Sequence, residues 1–186
     1  TLKSIVDLSK KNNLQVFDVE KINSQGGSIR CYLKKSKSVR EISKKIQSII
    51  LKERKIGLFS SNQLIKFRKK ILIHKTKLSN LISGLKIKGK KISAYGASGK
   101  GQALLQYCKL DHNCIDNVFD KSKLKQGCYT PGTNIKIRNP KRISKLKIDF
   151  LLLLSWNLKN EILKQEKKFL KNGGKFIIPF PSPRIL

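Results

Sequence analysis

The most constraining feature of the chain is a nearly continuous apolar run near its carboxyl terminus, Ile148–Ser155. A run of this length, bounded by polar residues, is typical of a central strand that is buried on both faces, as in a parallel sheet. A helix-forming segment, Leu158–Lys171, follows it and leads to a last strand, Lys175–Pro179. Strand, helix and strand in this order predict a parallel crossover.

The same alternation starts about 60 residues earlier. The pattern there predicts, in order, a strand, a glycine-rich turn, a helix, a second strand, a long loop and a short extended piece: Lys91–Tyr95, Gly96–Gly101, Gln102–Lys109, Cys114–Phe119, Lys121–Thr133 and Asn134–Arg138. Strands that alternate with helices of about ten residues predict an α/β fold with a Rossmann-like, doubly wound, mostly parallel sheet.

The first half of the chain has a different pattern. A helix over Thr1–Asn13 precedes two strands, Leu14–Glu20 and Ser28–Leu33, joined by a short glycine-containing turn. Because two strands and one helix cannot bury themselves alone, this pattern predicts the closing hairpin of a larger sheet. Two long helices, Ser38–Lys55 and Ser61–Leu85, follow, and His74 falls on the apolar stripe of the second, where we expect it to be partly buried and hydrogen-bonded.

The net charge of +31 points to an acidic partner such as nucleic acid. All but seven of the 42 basic residues are lysine, however, and they are spread along the whole chain beside Ile and Asn. A nucleic acid interface would group arginines and aromatic residues on one element. We therefore interpret the charge as compositional drift and keep polyanion binding as a third hypothesis.

The cysteines and the hydrophobic segments indicate a soluble, cytoplasmic protein. Cys31, Cys108, Cys114 and Cys128 have no C-x-x-C spacing, and we expect buried, reduced thiols and no metal site in this chain. No apolar stretch reaches the roughly 18 residues of a membrane span, so we expect no membrane partner.

The turn Gly96–Gly101 is the strongest local signal for a binding site. Glycines allow a close backbone approach, and free amides at a helix start favour an anion, to which Ser98 and Lys100 could add a hydroxyl and a charge. The glycines do not match the strict G-x-G-x-x-G order. Two alternatives therefore remain open: a phosphate cradle that includes Gly96 and Gly99, or a tight turn that packing requires. Asp120, at the next strand end, is either a ribose ligand or a strand-end cap.

Two further segments lie at the same predicted edge of the sheet. The loop Lys125–Thr133 carries an amide, an aromatic ring and hydroxyls, and from it we select Gln126 and Tyr129 as ligand contacts. Pro131-Gly132 alone would be an ordinary turn. Trp156, at the end of the buried strand, either stacks on a base or closes the core.

The motifs together resemble one family. Ala94–Gly101, then Lys125–Gly127 with Tyr129–Thr133, then Trp156-Asn157, Gly173–Ile177 and Pro179–Pro181 look like the carboxy-terminal domain of the sugar C-methyltransferases, which act on nucleotide-linked deoxysugars. Gly26–Arg30 resembles the end of that family's methyl-donor domain. The motifs occur in the same order along the whole chain.

The resemblance implies a three-part enzyme that depends on S-adenosylmethionine. Zinc would be held in an amino-terminal module, the methyl donor in a class I methyltransferase domain, and the nucleotide-linked sugar partly by the domain seen here. The base that removes a proton next to the keto group would lie just before the position of Thr1. We accordingly expect no catalytic residue, no zinc and no donor site in this chain, and no methyl transfer by it alone.

The resemblance also sets the expected domain boundaries and the alternatives. We predict the end of the methyltransferase domain over residues 1–35, a helical linker over 36–88 and the Rossmann-like domain over 89–186. Gln25 and Asn134 stand where the family more often has histidine, which puts an acid–base role at these positions in doubt. The alternative is a nucleotide-binding Rossmann-like module that is not a methyltransferase.

Overall fold

A computed structural model describes residues 1–186 and divides them into two compact units, Thr1–Lys69 and Lys70–Leu186. The chain is mixed α/β, with six helices, eight strands and two short 3-10 segments. A two-stranded antiparallel sheet lies in the first unit, and a six-stranded, mostly parallel sheet lies in the second. The predicted fold class is confirmed.

The first unit is built around a β-hairpin. Its elements are α1 (Leu2–Lys11), β1 (Leu14–Ile22), β2 (Ser28–Lys35), α2 (Lys44–Ile56) and the beginning of α3 (Ser61–Ile87). The strands pair from Leu14 with Lys35 to Ile22 with Ser28, with a bulge between Val16 and Asp18. Its core is small and joins both helices to one face of the hairpin: Leu2, Val16, Val19 and Ile46.

The predicted start of α2 is wrong by six residues. We expected a helix from Ser38, whereas the helix begins at Lys44 and residues 38–43 are not helical. Ser43 has an extended backbone, and its hydroxyl accepts a hydrogen bond from the Lys45 amide as an N-cap. Its own amide donates to the Phe17 carbonyl on β1, so a tertiary contact selects this serine as the cap.

The second unit is built on the large sheet. After α3 come β3 (Ile92–Tyr95), α4 (Gly99–Cys108), β4 (Val118–Phe119), β5 (Ile137–Arg138), β6 (Phe150–Leu153), α5 (Lys159–Gln165), α6 (Lys167–Lys171), β7 (Lys175–Ile178) and β8 (Arg184–Ile185). The strand order is β5-β4-β3-β6-β7-β8, and only β8 is antiparallel to its neighbour. The order reverses between β3 and β6, which makes this pair the topological switch point.

Helices cover both faces of this sheet. On one face, α3 and α4 pack on a core that includes Leu78, Leu105 and Leu152. On the other face, α5 and α6 pack on a core that includes Phe119, Leu151 and Phe176. All four residues of β6 are buried, as the apolar run predicts for a central strand.

Several predicted boundaries in this unit need correction. The strand expected over Cys114–Phe119 has only two residues, and the helix expected over Leu158–Lys171 is a 3-10 turn followed by α5 and α6. The pattern also missed the 3-10 segment Pro140–Lys145 and the edge strand β8. These elements span only two to seven residues, which is too short for a helical or alternating pattern to define them.

Candidate functional site

The glycine bend connects β3 to α4 at the carboxyl edge of the sheet, where the parallel strands end. Gly96 adopts φ +95°, and its amide donates to the Phe119 carbonyl at 2.7 Å. A Cβ built at Gly96 would overlap the Ser155 hydroxyl at the end of β6. Packing at the switch point therefore requires a glycine here, in agreement with the tight-turn alternative.

Gly101 is also required by packing. A Cβ at this position would lie 2.6 Å from Cβ of the fully buried Leu154. Ser98 closes the same contact as the N-cap of α4, because its hydroxyl accepts from the Gly101 amide at 3.1 Å and donates to the Leu154 carbonyl at 3.2 Å. Ser98 thus holds α4 against β6.

Gly99 differs from the other two glycines of the bend. It is the first residue of α4, it is exposed, and a Cβ there would have no heavy atom within 4 Å. Its amide has no hydrogen-bond partner in the chain. A free amide at the positive end of a helix is suited to an anion. Lys100, also exposed, follows as the second residue of α4. The cradle alternative therefore rests on Gly99.

Asp120 lies at the end of β4 and binds the bend directly. One carboxylate oxygen accepts from the Ala97 amide at 2.7 Å, and the other accepts from the Ser122 amide at 2.8 Å. The Lys125 ammonium lies 3.6 Å from the first oxygen and donates to the Ala97 carbonyl at 2.8 Å. Asp120 therefore joins two loops, and its role toward a ribose stays a prediction.

Gln126 extends the same network toward β5. Its amide nitrogen donates to the Asp120 carbonyl at 3.0 Å, and its oxygen accepts from the Asn139 side chain at 3.1 Å. Both ends of the side chain are thus used within the protein. A ligand contact by Gln126 stays a prediction. In this structure its side chain links the Asp120 carbonyl to Asn139.

Tyr129 lies outside this network. Its side chain is exposed, and the Lys136 ammonium lies 5.7 Å from the ring centroid. No hydrogen bond or ring contact links it with the bend. The loop around it is ordered by buried hydroxyls, because the Thr130 hydroxyl accepts from the Ile135 amide and bonds to the Thr133 hydroxyl at 2.7 Å.

Trp156 follows Ser155 and lies beside the bend. Its ring packs on Phe180 at 4.6 Å, and Phe180 stacks on His74 at 4.4 Å. His74 is hydrogen-bonded to the Pro179 carbonyl at 2.7 Å, which confirms the structural role expected for it. Trp156 is half-buried, so it both closes the core and lines a cavity.

The cavity beside Trp156 has a volume of about 500 Å³. Phe180, Arg184, Lys159 and Asn157 are among its other lining residues. This volume falls in the range of small-molecule pockets, and the lining combines aromatic, cationic and amide groups. Sequence reasoning did not select Arg184, because it lies on β8, the edge strand that the pattern missed.

A second cavity, of about 440 Å³, lies where β4 and β5 end, on the face covered by α5 and α6. Lys121, Asn139 and Glu166 are among its lining residues. Burial raises the pKa of the Glu166 carboxyl, against the opposing effects of the nearby Tyr95 hydroxyl and the Lys121 ammonium. Glu166 interrupts a helix in a lysine-rich stretch, and no sequence signal marks it.

The buried hydroxyl of Tyr95 lies near Glu166, which lines this second cavity. Tyr95 is 4% exposed, and its hydroxyl makes no hydrogen bond of normal geometry. Burial and the neighbouring Glu166 carboxylate raise the pKa of Tyr95 well above its usual value. Tyr95 therefore stays protonated and cannot act as a proton acceptor near neutral pH.

The cysteines differ in exposure, and both positions that differ from the family pattern adopt an unusual backbone conformation. Burial raises the pKa of the Cys108 thiol, whereas Cys128 is exposed, which corrects the expectation that all four thiols are buried. Gln25 and Asn134 both adopt positive φ in turns. Small polar turn residues are common in this conformation, which accounts for Asn134 on backbone grounds.

The chain as a whole offers no metal centre and no bilayer-spanning helix. No three His, Cys, Asp or Glu side chains converge in a cluster that could hold a metal ion. The residues present therefore do not fit zinc. None of the helices combines the length and the apolar character that crossing a lipid bilayer requires.

Comparison with known proteins identifies the family. The model of the C-methyltransferase C-terminal domain matches residues 23–181. The chain is also 34% identical over its full 186 residues to the C-methyltransferase NovU of Streptomyces niveus, of which it covers 44%. It thus spans less than half the length of that curated relative. By the extent of the family match, the chain belongs to the C-methyltransferase C-terminal domain family.

Proposed function

We propose that the chain is the carboxy-terminal part of an S-adenosylmethionine-dependent C-methyltransferase that acts on a nucleotide-linked keto-deoxysugar. Within that enzyme, it binds the nucleotide-linked sugar. Family membership supports methyl transfer to carbon. The sugar class follows from the motifs around Gly96 and Tyr129 that resemble the sugar C-methyltransferases.

The observation that carries the binding role is the free Gly99 amide at the switch point. The carboxyl edge beside a switch point is where open α/β sheets bind ligands. Gly99 begins α4 there, so its N–H adds to the partial positive charge of the helix start. The cavities beside Trp156 and beside Lys121 also lie at the carboxyl edge of the sheet, and we propose that they take the two substituents of a diphosphate that accepts from Gly99.

The residues of this chain bind and orient rather than react. Tyr95 is held protonated, and no imidazole lies in the network of the bend. The part of the full-length enzyme that has no counterpart in this chain would bind the methyl donor and the zinc. It would also supply the catalytic base. We accordingly expect no methyl transfer by residues 1–186 alone, with the hairpin of β1 and β2 completing the donor domain's sheet.

Calorimetry tests the binding role directly. The chain is titrated with a panel of nucleoside-diphosphate glucoses, with a nicotinamide dinucleotide and with inorganic phosphate. We expect saturable binding of a sugar nucleotide that neither of the other two probes matches. Equal affinity for the dinucleotide would favour the alternative of a nucleotide-binding module outside methyl transfer. Affinity for every polyanion that falls steeply with salt would favour the polyanion hypothesis.

Two substitutions at Gly99 separate the amide from the backbone shape. Gly99→Pro removes the N–H at the first helical position, where proline is well tolerated, and Ser98 already has φ −92° and ψ 152°, as a residue before proline prefers. Gly99→Ala keeps the N–H and serves as the matched control. A hydrogen bond to a charged group contributes about 1.5–3 kcal/mol, so Gly99→Pro should weaken binding roughly 10- to 150-fold. Unchanged affinity in Gly99→Pro would refute the role of this amide.

A further inference from the structure

The network around Asp120 changes what the bend can offer an anion. A glycine-rich bend alone would present several free amides, but the Ala97 amide already donates to Asp120 at 2.7 Å. The Asp120 carboxylate also brings a negative charge to the bend. A diphosphate that approaches Gly99 therefore needs a cation nearby to offset Asp120.

Lys125 is the cation that the fold holds at this place. Its ammonium donates to the Ala97 carbonyl at 2.8 Å and lies 3.6 Å from the Asp120 carboxylate. An ammonium has three N–H donors, and these two contacts use at most two of them. The side chain remains 46% exposed, so the third donor is accessible to a ligand.

The backbone of Lys125 is also held on both sides. Its amide donates to the Ser122 carbonyl at 3.1 Å, and its carbonyl accepts from the Cys128 amide at 3.1 Å. The following residues are tied to β5, because the Gly127 amide donates to the Ile137 carbonyl. These hydrogen bonds fix the position of the loop, and the loop in turn holds the Lys125 ammonium beside the bend.

We propose that Lys125 contacts the phosphate groups of the ligand and that Asp120 is the positioning residue that holds its ammonium against the bend. The inference rests on the proposed function, and it adds a residue that the motif analysis did not select. In the absence of ligand, Asp120 neutralises Lys125. When the diphosphate binds, the ammonium bridges the carboxylate and a phosphate oxygen, so three charges share one site.

Calorimetry with the sugar nucleotide that binds best tests the inference through charge variants. Lys125→Gln keeps a donor for the Ala97 carbonyl and removes the charge, whereas Lys125→Arg keeps the charge. We expect a 10- to 100-fold loss of affinity in Lys125→Gln and recovery to within about threefold in Lys125→Arg. Lys123→Gln, an exposed lysine of the same loop, is the matched control and should bind as the unmodified chain does.

A double-mutant cycle tests the positioning role of Asp120. Asp120→Asn removes both the charge that opposes a phosphate and the acceptor that positions the Lys125 ammonium. If the positioning effect is the larger one, Asp120→Asn should weaken binding in the unmodified chain, whereas in Lys125→Gln, where only the charge effect remains, it should leave binding unchanged or strengthen it. A purely structural role would instead give the same loss in both backgrounds. Urea unfolding of each variant, followed by Trp156 fluorescence, verifies that the fold is retained.

Lysine footprinting on the unmodified chain makes the test independent of any variant's folding. The chain is acetylated with and without the sugar nucleotide, and the modified sites are read by mass spectrometry. Protection of Lys125 but not Lys123 supports the inference. If the sugar nucleotide binds and Lys125 is neither protected nor needed for affinity, the inference is wrong while the proposed function stands. If no sugar nucleotide binds, both are wrong.

Discussion

The substitution Gly101→Ala should destabilise the second unit although alanine favours helices. The added Cβ would lie 2.6 Å from the Leu154 Cβ, about 1 Å inside the ordinary separation of two carbons. Because Leu154, the residue directly after β6, is fully buried, α4 has to move away. Such overpacking costs about 1–3 kcal/mol, and loss of the Ser98 cap costs about 1 kcal/mol. The helix propensity of alanine returns about 1 kcal/mol, so we expect a net loss of about 1–3 kcal/mol.

The matched variant is Gly99→Ala, where the new Cβ enters open space. It should be as stable as the unmodified chain or up to about 1 kcal/mol more stable. Urea unfolding followed by fluorescence of Trp156, the only tryptophan, measures both variants in the unit concerned. Gly101→Ala and Gly99→Ala of equal stability would refute the claim that packing against β6 requires Gly101.

Three further predictions concern single side chains. Ser98→Ala should cost about 1 kcal/mol in urea unfolding, because the Gly101 amide loses its acceptor. Glu53→Gln should weaken the protection of α1 in amide hydrogen exchange by about 1–2 kcal/mol, because the Glu53 carboxylate accepts from the Leu2 amide at 2.6 Å; unchanged protection would contradict this. The pKa of Glu166 is raised in the folded state, so its contribution to stability is present at low pH and is lost as pH rises through that value. From pH 4 to 8, the unmodified chain should therefore lose stability relative to Glu166→Gln, and parallel pH curves would count against a buried carboxyl.

The sequence allowed the sheet to be predicted where local pattern and burial agree. The apolar run Ile148–Ser155 contains β6, and the run Lys175–Pro179 contains β7. Strands buried on both faces need apolar residues at every position, and this requirement is visible in the sequence itself. The edge strand β8 has no such requirement, because both of its residues are exposed.

The roles of the three glycines in the bend could not be predicted in this way. All three have the same local context, and the packing partners Leu154 and Ser155 of two of them lie more than 50 residues away. Only the fold distinguishes Gly99, which faces open space, from the two glycines that pack on β6. The role of Asp120 could not be predicted from the sequence either. Its carboxylate accepts from the Ala97 amide, which lies 23 residues earlier in the chain.

The most direct test of the proposed binding role is the response of the Gly99 amide to a sugar nucleotide. An ¹H–¹⁵N correlation spectrum of the labelled chain is recorded during titration with the nucleoside-diphosphate glucose of highest affinity. We expect a saturable downfield shift of the Gly99 amide, with smaller changes at Ala97 and Ser98 and none at Gly84 in α3. A Gly99 resonance that stays in place while the ligand binds elsewhere would contradict anion binding by this amide.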